Sequence, residues 1–301
     1  MRYVLLLLTA ALLLGCTSAP QAPSGQQPSG GIPGIPGTGA PAEACSPAYS
    51  FSELEEGTLS ETTTLVATVT CAAGKRMAVM LDGEEATALI PETNATTPLS
   101  FRFAPKKDGP MTVTVEVDGV TVHSREWEVA PLGYSGTYGT ENDGVSFKEW
   151  RAMAVDVENA INPDRVSIFM KRLDFRSQPG TQLLVEIRGD SGGSPGPLIA
   201  ESRRPMNVST LTENWVHFDF PRPTLAPGTY WIVVKVDQTE SISTVSDTTY
   251  IHMTPNDKQQ PGNDYTRVMK LSVDEKTGKA TETSWQPLPY DRIYSIVLSS
   301  G

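Results

Sequence analysis

The chain has 301 residues, 39% hydrophobic and 20% charged, with 24 Lys and Arg against 35 Asp and Glu and a formal charge of −11. Phosphate binding needs a concentrated basic face. Here the cations stand singly or in pairs such as Lys106-Lys107 and Arg203-Arg204, which argues against a nucleic-acid partner. Acidity of this size suits a solvated exterior and names no ligand.

Arg2 supplies a minimal positive n-region, residues 3–14 an apolar run, and Gly15-Cys16 a small-residue cleavage site. A bilayer core needs about twenty apolar residues in a helix. This run is shorter, and no other window approaches that length. The residues Leu12-Leu13-Leu14-Gly15-Cys16 resemble a lipobox, the recognition site of the prokaryotic lipoprotein pathway, although Leu14 is larger than is usual in its place. The resemblance implies that residues 1–15 are a signal peptide and that Cys16 carries a diacylglyceryl group. It also implies an extracytoplasmic, cell-surface protein tied to the membrane by lipid, which dual acylation would hold stably at about 0.8 kcal/mol per buried methylene. The plainer alternative is an ordinary secretory signal.

Residues 16–43 are dominated by Pro, Gly, Ser, Ala and Gln, with GGIPGIPGTGAP at their centre. Such a composition cannot bury a core and reads as a tether. With Cys16 given to lipid, Cys45 and Cys71 remain as a pair in an oxidising compartment. A bridge closing their loop of roughly 27 residues would contribute about 3 kcal/mol in the chain-entropy model. Zinc is the weaker alternative, because no CxxC or HExxH accompanies them.

Residues 44–131 form short alternating runs rich in Val and Thr, broken by Gly, Pro and Asp. Strands are expected over 63–71, 77–81, 100–103 and 111–117. Asp118-Gly119 is the strongest hairpin signal in the chain, since a type I′ turn needs positive φ. The following run, 120–129, alternates again. This pattern, with its cysteine pair, resembles a prokaryotic immunoglobulin-like domain.

Residues 132–301 are also β-rich, with strands expected over 165–175, 183–187, 216–220, 230–236 and 292–298. Val216, Phe218 and Phe220 give one strand an apolar face; Tyr230, Ile232, Val234 and Val236 do the same for the next. Between them, PRPTLAPG can continue neither helix nor strand. The succession TQLLVEIRGDSGGSPGPLIAES, NWVHFDFPRPTLAPGTYWIVV, Trp285 and DRIYSIVL resembles the jelly-roll module of the choice-of-anchor type over roughly residues 145–300. The resemblance implies a β-sandwich of eight or more strands and a surface context. It carries no catalytic residues.

Two motifs tempt a functional assignment. GDSGGSPG at 189–196 is close to the nucleophile loop of chymotrypsin-like proteases, with Ser191 in the reactive place. Of His123, His217 and His252 only His123 precedes it in that family's order, without the family's flanking residues, so a hairpin loop is the better account. Arg188-Gly189-Asp190 is an integrin-type tripeptide, a string short enough to arise by chance.

The stronger candidate surface is aromatic. Opposite the apolar stripes the two strands carry Trp215, His217 and Asp219, then Trp231, Val233 and Lys235. If these strands pair antiparallel, two tryptophans and three polar groups share one sheet face. Sugars bind to such faces by stacking C–H surface on indole while polar neighbours take the hydroxyls. The alternative is that the face packs under a loop or that the tryptophans fill the sandwich. Trp150, Trp285, Tyr265 and Tyr290 are further candidates.

Structural calcium could draw on Asn142-Asp143-Gly144, Asn256-Asp257 or Asn263-Asp264, although turns prefer these residues anyway and no EF-hand spacing is present. The expectation is therefore an all-β chain, an immunoglobulin-like sandwich followed by a larger jelly-roll sandwich, that binds and does not turn over substrate. It needs no cofactor and no catalytic metal. The distal domain would recognise a glycan or other surface polymer. A structural or assembly role, docking on partner surface proteins with no small ligand, is the alternative.

Overall fold

The computed structural model describes residues 45–301 apart from 55, 83, 138–140, 147, 173–181, 206–212, 238–247, 256–265, 274–279 and 288–291. The expected signal, Cys16 and tether lie outside the described residues. So do Tyr265, Tyr290, Asn256-Asp257 and Asn263-Asp264.

All regular structure among the described residues is strand. The first lobe holds β1 (Ala48–Phe51), β2 (Gly57–Thr58), β3 (Thr63–Thr70), β4 (Arg76–Leu81), β5 (Glu84–Leu89), β6 (Thr97–Phe103), β7 (Gly109–Val117) and β8 (Val120–Ala130). They form two sheets, ordered β1-β3-β6 and β2-β8-β7-β4-β5. Alternate side chains point between the sheets, so Leu65, Ala67 and Val69 of β3 meet Met77 and Val79 of β4 and Val113 and Val115 of β7. Asp118 (φ 51°) and Gly119 (φ 78°) make the expected tight turn. Phe103 meets the Trp127 ring edge-on, with centroids 5.6 Å apart. Gly57 is required beneath that indole, because a Cβ there would lie 2.1 Å from the ring. Cys45 and Cys71 are disulfide-bonded, with Cα atoms 5.6 Å apart, where β1 begins its pairing with the end of β3. This closes the zinc alternative.

The second lobe contains β9 (Leu132–Gly133), β10 (Glu141–Ser146), β11 (Glu149–Val157), β12 (Arg165–Arg172), β13 (Gln182–Asp190), β14 (Pro195–Pro205), β15 (Asn214–Asp219) and β16 (Gly228–Asp237). It continues with β17 (Thr248–Pro255), β18 (Thr266–Lys270), β19 (Ser272–Val273), β20 (Ala280–Thr281), β21 (Trp285–Pro287), β22 (Arg292–Tyr294) and β23 (Ile296–Ser299). One ladder runs β14-β13-β16-β11, turns through β10 and β17, and returns as β12 and β23. Val185, Ile187, Ile232 and Val234 from one side pack against Val166, Ile168, Phe218 and Ile296 from the other. The expected apolar stripes thus face the core. The run expected over 292–298 is broken at Ser295, whose hydroxyl donates to the Gly136 carbonyl at 2.5 Å.

One expectation is corrected. The strands flanking PRPTLAPG do not pair with each other: β15 pairs with β12, while β16 lies between β11 and β13. The linker crosses between the two arms of this one folded ladder, which face each other as the layers of the sandwich. Leu225 exchanges both backbone hydrogen bonds with Ile161, at 2.9 and 3.1 Å, and Arg222 takes a left-handed backbone (φ 54°), which steers the chain across the end of the sandwich. Residues 142–144 are corrected too. They lie inside β10, in register with β17, and not in a turn.

Candidate functional site

The consequence of the crossover is that the five proposed ligand residues separate into two groups. Trp215, His217 and Asp219 project from the outer face of β15, opposite Phe169, Ser167 and Arg165 of β12. Trp215 is half-buried and tilts against Phe169 at 5.4 Å between centroids. His217 is exposed, and its Nδ1 shares a 2.8 Å hydrogen bond with the Ser167 hydroxyl, which fixes the ring and leaves Nε2 as its other polar atom. Arg165 reaches Asp219 at 3.4 Å, a long contact between side chains that are 50% and 83% exposed and therefore weak.

Among the described residues β15 pairs only with β12 and β14 only with β13, so both are edge strands. They approach each other across the open side of the sandwich, where Arg204 Nη1 donates to the His217 carbonyl at 2.9 Å. A groove of about 590 Å³ opens along this seam, lined by Arg165, Ser202, Arg203, Arg204, His217 and Asp219 among others. The three arginines were not singled out as site residues by sequence. The signal present was the Arg203-Arg204 pair at the end of a long strand, which alone cannot tell what that strand's edge faces.

Trp231 and Lys235 are elsewhere and are not open. Trp231 is 1% exposed and packs with Ala152, Ala154, Val233 and Trp285 on the outer face of the other sheet. Its indole N–H donates to Asp190 Oδ1 at 2.8 Å, and the Arg267 guanidinium lies 5.2 Å from its ring centroid. Lys235 is paired with Glu186, which also accepts from Arg188 Nε at 2.6 Å. The same ammonium lies 4.4 Å from the centroid of buried Trp150. For these two residues the packed alternative holds, and the shared face of two tryptophans is corrected.

The tempting motifs find structural partners. Ser191 sits in a loop closed by its own N–H on the Ser194 carbonyl at 2.8 Å. His123 is in the first lobe, stacked on Phe51 at 4.5 Å. Arg188 and Asp190 are both turned back onto their own sheet and loop. Among the described residues no three His, Cys, Asp or Glu side chains are grouped so as to hold a metal ion.

No family model matches the sequence, and no curated protein matches it. Two solved structures show a distant likeness. One is a carbohydrate-binding module of the β-sandwich superfamily, 14% identical, over 69% of this chain and 96% of its own, with a TM-score of 0.25. The other is a SusE-like protein, 12% identical, over 66% of this chain and 95% of its own, with a TM-score of 0.18. Scores of this size do not establish a shared topology.

Proposed function

We propose that the second lobe is a glycan-binding β-sandwich and that its site is the seam between β14 and β15. The observation that carries this is the arrangement on one face: an aromatic pair, Trp215 on Phe169, followed two residues along by a fixed histidine and then by an Arg–Asp pair beside an open groove. The half-buried Trp215 indole, two residues from His217 on the same strand face, offers the apolar platform for a sugar ring beside the groove, and His217, Asp219 and Ser202 in the groove offer donors and acceptors for its hydroxyls. The protein binds and does not turn over its ligand. Lipid on Cys16 would hold it at the cell surface. Glycan-array binding by the full chain should be lost on Trp215→Ala and His217→Ala and kept on Trp231→Phe. Loss on Trp231→Phe alone would move the site to the other sheet. Labelling with an alkyne fatty acid, abolished by Cys16→Ser, tests the anchor.

The docking alternative has one observation in its favour. On the open edge strand β14, Leu198 and Ile199 are 49% and 42% exposed. Binding to envelope fractions that survives Trp215→Ala and is lost on Leu198→Lys would favour it.

A further inference from the structure

The seam groove is basic in a chain that carries eleven net negative charges. Arg165, Arg203 and Arg204 line it, and Asp219 is the one carboxylate among its described lining residues. The three cations differ in how firmly they are engaged. Arg203 is clamped by Glu201 of its own strand, at 2.9 Å. Among the described residues Arg165 has only the long, exposed contact with Asp219. Arg204 pairs with no carboxylate among the described residues, and one of its five N–H donors is given to the His217 carbonyl. That bond holds the guanidinium in place across the seam, and among the described residues its remaining donors have no hydrogen-bond partner.

We propose that the groove selects an acidic glycan, one whose sugars carry carboxylate or sulfate groups. This rests on the glycan reading above and adds the ligand's charge to it. Arg204 is the anion-binding residue: a planar guanidinium matches two oxygens of a carboxylate or sulfate at once, which an ammonium cannot do. Arg165 is the second cation, since a ligand anion can replace the weak Asp219 contact at little cost. Trp215, further along the same face, takes a neighbouring ring. His217 stands between the anion site and the stacking site, where an imidazole can bond a ring hydroxyl.

The experiment measures binding of the full chain to polygalacturonate, dextran sulfate, unmodified dextran and single-stranded DNA at several salt concentrations. One of the two acidic polysaccharides should bind at least about tenfold more tightly than dextran, a difference within reach of a single charge-assisted pair. Which of them binds distinguishes carboxylate from sulfate. Binding should weaken as salt shortens the screening length. It should fall about tenfold on Arg204→Gln, less on Arg204→Lys, and measurably on Arg165→Gln, which leaves the Arg204–His217 bond intact and so controls for loosening of the seam. Binding to neutral glycans on an array that is lost on Trp215→Ala but indifferent to salt and to both arginine changes would overturn the charge assignment and leave the glycan reading standing. Binding to no glycan of either kind would overturn both. DNA bound as tightly as the acidic polysaccharides would show an unselective polyanion surface and overturn the proposal.

Discussion

The Asp190 carboxylate accepts the indole N–H of Trp231 at 2.8 Å. It also accepts the Gly193 N–H at 3.2 Å, so the loop that follows β13 is folded back and held over the outer face of the sheet. Arg267 secures the far side of that loop by donating to the Gly193 carbonyl at 2.9 Å. The GDSGGSPG segment is therefore a structural clasp. The Trp231 bond holds the Asp190 carboxyl below the ordinary aspartate value, against the opposing effect of desolvation and with help from the Gly193 and Ser194 N–H groups and the Arg267 charge.

That shift makes stability depend on pH with a defined sign. A carboxyl depressed in the folded state binds its proton more weakly there than in the unfolded chain. Its contribution is complete above the unfolded value and is lost as pH falls through the folded one. Asp190→Asn should lower stability at pH 7 by no more than about 1 kcal/mol, since the carboxylate is largely exposed and its charge is screened. The gap from wild type should shrink below the ordinary aspartate value of 3.8. Urea midpoints at pH 7 and pH 3 measure it, and an equal gap at both would assign the effect to hydrogen-bond geometry alone.

The two tryptophans of the crossover strands should respond to truncation in opposite ways. Trp231 is fully buried on a central strand, flanked by β11 and β13. Trp231→Ala removes a large side chain from a packed layer and should cost about 3–5 kcal/mol. Trp215 is half-buried on an edge strand. Trp215→Ala should cost under about 1.5 kcal/mol, because part of its surface is already in water, and should abolish glycan binding. Chemical denaturation paired with a binding assay on both variants separates the roles. A Trp215 variant that bound normally would remove the stacking platform from the site.

The contrast between these residues marks where sequence stops being sufficient. The period-two alternation at 216, 218 and 220 and at 230, 232, 234 and 236 identified the core faces correctly, because strand periodicity is a local property that holds whatever the strand pairs with. The partner of each strand is not local. It depends on the Leu225–Ile161 bridge that turns PRPTLAPG into a crossover, and nothing in that octapeptide names Ile161. Trp215 and Trp231 have the same type and the same place in the alternation, so only their neighbours distinguish them. Arg165, Arg203 and Arg204 come from strands that are not adjacent in any ladder, and their convergence is a property of the open seam. Strand β5 is not legible in the sequence because EEATAL is acidic and none of its residues is buried, as suits the edge of a sheet.

Glu186 is the centre of a second structural cluster. Its side chain is 3% exposed and pairs with both Arg188 and Lys235, which are themselves largely buried. Removing one member strands the others' charge in a poorly solvated place. Glu186→Gln should therefore destabilise the fold by about 3 kcal/mol or more. Adding Lys235→Met removes one stranded cation and should recover part of the loss. Equilibrium unfolding of the two single variants and the double variant forms a cycle whose coupling term reads the pair directly. Strict additivity would mean that the contact contributes nothing.

Leu59 couples the two lobes. It follows β2 in the first lobe, yet its side chain is fully buried in the core of the second, among residues such as Leu132 and Val157. The next residue, Ser60, has a left-handed backbone (φ 76°) that a serine adopts at some cost. Asn159 holds it there. The Ser60 hydroxyl donates to the Asn159 carbonyl and accepts the Asn159 N–H, both at 2.9 Å, and the Asn159 side-chain amide donates to the Ser60 carbonyl at 2.8 Å. Elsewhere on the interface Ser300 N–H donates to Asp108 Oδ1 at 2.6 Å, and Asp108 N–H to the Ser300 carbonyl at 3.1 Å. Two cores joined by a shared buried leucine and two hydrogen-bonded clasps should unfold together. Calorimetry of the wild-type chain should show one cooperative transition. Leu59→Ala should lower its stability by about 2–5 kcal/mol. Leu59→Asp, which places a charge where the second core receives the first lobe, should split it into two. Two well-separated transitions in the wild-type protein would mean that each sandwich folds on its own core and that the leucine joins them without coupling them.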